Sequence, residues 1–89
     1  MNTKELLAEA TKLVGGDRQR DYGDKVVNHS NIARLWSAYL DVKIEAHDVA
    51  LMMALLKMAR TKLGAVSKDT YIDMSAYSAI AGEIKFGGK

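Results

Sequence analysis

The chain has 89 residues, room for one domain with a thin core, and its 48% hydrophobic and 27% charged content is a globular balance rather than a disordered one. The net charge of +2, with acids and bases interleaved, argues against nucleic acid as a partner. There is no cysteine, which excludes disulfides and thiolate-held zinc, and no proline, which leaves long helices uninterrupted.

The first predicted helix runs from about Thr3 to Val14, where Leu6, Leu7, Ala10, Leu13 and Val14 fall at helical spacing. Thr3 is a candidate cap at its start, and Gly15-Gly16 is a stop signal. A polar segment, Asp17 to Gly23, follows. Asp24 is placed to cap a second helix, Lys25 to Leu40, with Val26, Ile32, Ala33, Trp36, Tyr39 and Leu40 as its apolar positions.

A short connection through Asp41 to Ile44 leads to a third helix, Ala46 to Leu63, ended by Gly64. Its run Val49 to Leu56 has no polar residue for two turns, so it must be covered on all sides, either at the centre of the bundle or in a subunit interface. That run is also the longest apolar stretch, far short of the ~20 residues a spanning helix needs. No membrane role is expected, and a cytoplasmic location is. The fourth helix runs from Asp69 or Thr70 to Ile84, with Ile72, Met74, Tyr77, Ile80, Ala81 and Ile84 on its apolar face. The expected fold is all-α, a small bundle of three to four helices around a central antiparallel hairpin. It is one domain over 1–89, with 85–89 a flexible tail.

Several fragments carry a family resemblance: Arg18 with Tyr22-Gly23, Asn28, Ile32 to Leu40, Asp48-Val49-Ala50, Lys57, Arg60, and Asp69 to Asp73 leading to Tyr77. Together, over residues 17–84, they resemble a small helical domain common in bacteriophage and prophage genomes. The domain is in turn similar to the MazG-like all-α nucleoside triphosphate pyrophosphohydrolases. That second resemblance implies a magnesium site built from carboxylates on two adjacent helices. The residues of this chain that fall there are Asp48, Asp69 and Asp73. They are fewer than the E-E-x-x-E and E-x-x-D runs of that group. An antiparallel hairpin turning near Val66 also puts Asp48 about 15 Å along the axis from Asp73, too far to share an ion.

Each acid also has a structural role available. Asp48 lies in the first turn of its helix, where a carboxylate satisfies free amides, and Asp69 and Asp73 face Arg60 and Lys57 across the hairpin as an ion-pair lock. The candidate ligand site that needs no metal is Arg18, Arg20, Tyr22 and Lys25 at the start of the second helix, joined by Lys57 and Arg60. His29 and His47 are too few for zinc. Trp36, Tyr39, Tyr71 and Tyr77 read as core or interface residues.

The function expected is that of a phage-encoded, non-catalytic accessory protein without a cofactor, acting in the host cytoplasm. It binds a nucleotide-like ligand or a host protein, with a counter-defence role in view, and forms a homo-oligomer. Two alternatives stand beside it: a magnesium-dependent MazG-like pyrophosphohydrolase, and a structural oligomer without ligand.

Overall fold

The computed structural model describes residues 1–15, 24–62, 64 and 67–87. Four helices make up the described chain: α1 (Thr3–Gly15), α2 (Lys25–Leu40), α3 (Ala46–Arg60) and α4 (Lys68–Lys85). The all-α fold expected from the sequence is what forms, and among the described residues there is no strand.

Local side-chain chemistry sets most of the boundaries. At α1 the cap is Asn2 rather than Thr3. Its Oδ1 accepts from the Glu5 amide at 2.9 Å, and Glu5 Oε1 accepts from the Asn2 amide at 3.2 Å, a reciprocal capping box. Asp24 caps α2 as its position suggests, its Oδ1 accepting from the amides of Val26 at 2.7 Å and Val27 at 3.2 Å. The helix ends at Asp41, whose φ of 55° is left-handed, a conformation that aspartate tolerates better than most residues.

The corner into α3 is closed by one serine. Ser37 Oγ donates to the Ile44 carbonyl at 3.1 Å and accepts from the Ile44 amide at 2.8 Å. Helix α3 stops at Arg60, three residues before the expected Leu63. There the Thr61 hydroxyl donates to the Met58 carbonyl at 2.7 Å and the Lys62 amide to the Ala59 carbonyl at 3.2 Å, closing the helix in a tighter turn. Helix α4 runs one residue past Ile84, into the segment expected to be a tail, and ends where the Phe86 amide donates to the Gly82 carbonyl at 3.1 Å.

Helices α3 and α4 form the expected antiparallel hairpin. Helix α1 packs on α4, and α2 packs on α3. A small cluster seals the first of these contacts: Ala10 with Ile72 and Ala76, flanked by Leu6, Leu13 and Val14. Leu7, on the expected apolar stripe of α1, is instead exposed.

The buried apolar residues are mostly alanines: Ala10, Ala33, Ala50, Ala54, Ala76 and Ala81, with Val49 and Ile72. Alanine lets helices approach closely but buries little area per residue. Larger side chains are left outside. Tyr39 is 88% exposed, and Tyr71 is exposed as well, so neither is a core residue of this chain, whereas Trp36 and Tyr77 are half-buried. The radius of gyration is 13.7 Å, against about 12 Å for a compact domain of this length, in keeping with a thin and open bundle.

Candidate functional site

The hairpin brings two of the predicted residues together. Lys57 on α3 and Asp73 on α4 form an ion pair, Nζ to Oδ2 at 3.4 Å. Their side chains are only 16% and 24% exposed, so the pair is shielded more than a surface bridge and locks the two helices in register. Among the described residues, Arg60 and Asp69 do not reach ion-pair distance of each other; both are exposed near the turn of the hairpin.

Lys25, placed by the sequence at the phosphate-binding end of α2, is held by Glu83 of α4, Nζ to Oε2 at 2.9 Å. Nothing in the sequence pointed to Glu83, because this contact depends on how α2 lies over the hairpin. Arg18, Arg20 and Tyr22 lie outside the described residues.

The three acids proposed for a metal are not gathered. With Lys57 beside Asp73, Asp48 lies nine residues back along α3, an axial offset of about 14 Å. Its neighbours are instead Glu45 and His47. One ligand atom from each of Glu45, His47 and Asp48 lies within 4.8 Å of the others.

Capping chemistry accounts for that cluster. Asp48 Oδ2 accepts from the Glu45 amide at 3.0 Å, and the His47 ring bridges the two carboxylates, Nδ1 to Glu45 at 3.6 Å and Nε2 to Asp48 at 3.4 Å. Acids at a helix start complement its dipole without any ion. The Glu45-x-x-Asp48 spacing is a local signal for this arrangement that reasoning from the family pattern passed over. His29 is buried, and its Nδ1–H donates to the Lys25 carbonyl at 2.7 Å, which makes it a structural histidine within α2.

The most distinctive surface carries no titratable group. On α3 the inward face holds Val49, Ala50 and Ala54 and the half-buried Lys57, while Leu51, Met52, Leu55, Leu56, Met58 and Ala59 are all exposed. Between Val49 and Ala59 the helix is turned inside out, with Lys57, the one charged side chain of that span, toward the hairpin and leucine and methionine toward solvent; Arg60, at the helix end, is exposed. A solvent face normally carries the polar residues. Leu55 is 60% exposed at its centre.

A family model described as "Domain of unknown function (DUF6378)" matches residues 5–85, nearly the whole chain. The chain belongs to the DUF6378 family. The match reaches all four described helices. It is similar to the Gene 55 protein of Mycobacterium phage L5, 41% identical over 76 residues, which is 84% of this chain and 49% of that protein. It is also similar to the Gene 55 protein of Mycobacterium phage D29, 38% identical over 76 residues, 85% of this chain and 50% of that protein. The chain thus spans about half the length of the curated relatives it matches. No solved structure matches it.

Proposed function

We propose that this DUF6378 domain is a non-catalytic bacteriophage protein that works by binding another protein chain, with the outward face of α3 as its docking surface. The observation that carries the reading is that face: six exposed apolar positions between Leu51 and Ala59, on a helix whose one lysine points inward. Contiguous apolar surface of this kind on a small domain marks an interaction site. The phage relatives support the setting, in which host proteins and other phage proteins are both available as partners.

The basic residues favour a nucleotide less. Lys25 and Lys57 are each engaged by a carboxylate, so a phosphate has to displace Glu83 or Asp73 to reach them. A pyrophosphohydrolase needs carboxylates converging from two helices, and Asp48 and Asp73 lie at separate levels of the hairpin.

Two measurements on the full chain test the proposal. Incubation with nucleoside triphosphates and magnesium is expected to release neither phosphate nor pyrophosphate. Sedimentation of the tagged chain in host extract, beside the purified chain, is expected to show a complex that Leu55→Glu dissolves without loss of helicity. Magnesium-dependent turnover that disappears in Asp73→Ala would sink the reading, as would the lack of any complex sensitive to Leu55→Glu.

A further inference from the structure

Resting on that reading, we infer that the chain docked on α3 is a second copy of this one, the two α3 helices crossing antiparallel about a two-fold axis beside Leu55. Three observations converge on this occupant.

The first is the placement of charge. Asp48 lies seven residues before Leu55 on the helix, and Lys62 seven residues after it in the closing turn, where Thr61 keeps helical backbone angles and the Lys62 amide donates to the Ala59 carbonyl at 3.2 Å, so all three fall near one stripe. The apolar patch lies between them. A two-fold axis at Leu55 sets Asp48 of each copy opposite Lys62 of the other, twice by symmetry. A parallel arrangement sets Asp48 against Asp48 and Lys62 against Lys62. The charges therefore select antiparallel docking, and the opposed helix dipoles favour it too.

The second is area. Leu51, Met52, Leu55, Leu56 and Met58 are between 37% and 60% exposed. Together with Ala59 they present roughly 500 Å² of apolar surface, so two copies have about the 1,000 Å² that a specific interface needs before the flanking charges are counted. A shallow crossing, near the 20° class, keeps both ends of the stripe in reach; a steep one separates Asp48 from Lys62.

The third is self-complementarity. Two-fold pairing around Leu55 opposes Leu51 to Ala59 and Met52 to Met58, so large residues meet small or adaptable ones and no charge is trapped in the middle. A helix face that carries acid at one end, base at the other and only apolar side chains between them fits its own copy.

The test uses the purified full chain, which has no cysteine to confuse a cross-link. Sedimentation equilibrium at micromolar concentration is expected to show a dimer. Leu55→Glu is expected to weaken it about 100-fold by placing two carboxylates at the axis, with the helical circular dichroism unchanged. Leu55→Cys is expected to form a covalent dimer readily under mild oxidation.

Orientation is read from two further variants. Met52→Cys and Met58→Cys are expected to cross-link with each other when mixed, and poorly when each is alone. Efficient self-cross-linking of Met52→Cys overturns the antiparallel geometry. A chain that stays monomeric up to about 100 μM overturns the second copy as occupant; a complex with a different protein, still sensitive to Leu55→Glu, then leaves the docking-surface reading standing.

Discussion

One hydroxyl closes the corner between α2 and α3. Ser37 Oγ both donates to and accepts from Ile44, so a single atom satisfies two backbone groups in a part-buried turn. Ser37→Ala is expected to lower unfolding free energy by about 1–2 kcal/mol, read as a shifted urea midpoint at constant slope. The Lys57–Asp73 pair is a second residue-scale lever. Asp73→Ala strands an ammonium that is 16% exposed, and about 1–2 kcal/mol is the expected loss, above the 0–1 of an open surface bridge. If the loss comes from the stranded charge, Lys57→Met added to Asp73→Ala recovers most of it in the same denaturation assay. No recovery would show that Asp73 contributes in some other way. The pair was legible from the hairpin register, since both residues follow from counting back from the turn. Lys25–Glu83 was not, because no sequence spacing encodes how α2 lies over the hairpin.

At the scale of elements, α3 has two faces that respond oppositely to added bulk. Ala50 is fully buried, and Ala50→Leu is expected to cost about 1–3 kcal/mol by overpacking, measured as a fall in melting temperature. The same change at the exposed Ala38 of α2 is expected to stay within about 0.5 kcal/mol. Element positions were readable because caps are local: Asp24 at α2 acts within a turn of itself. The end of α3 was placed late, since a threonine bonding back to a carbonyl three residues earlier leaves no strong mark in the sequence. Within the run Val49 to Leu56, the inward face of α3 was not readable. Eight consecutive apolar residues have no periodicity, so only packing against α2 and α4 decides which of them are covered. Within this chain one side of the run is covered by α2 and α4, and the other is the side for which a subunit interface was expected.

For the whole molecule, the order of contacts is α1 on α4, α4 on α3, and α3 on α2. Two of these unite neighbours in the chain; the first unites its two outermost helices. Helix α1 is tied down by a small cluster around Ala10, Ile72 and Ala76. Its amides are therefore expected to exchange with solvent through an opening lower in free energy than that of α3 and α4, which native-state hydrogen exchange will resolve; equal protection across all four helices would refute this. The same topology sets a sequence of events in time. The α3–α4 pair and the α2–α3 corner close short loops and form early, whereas α1 must wait for a closure that spans all of α2 and α3. The outward face of α3 is thus complete before the first helix has docked, and a chain still emerging from synthesis or refolding presents its stickiest surface while its fold is unfinished.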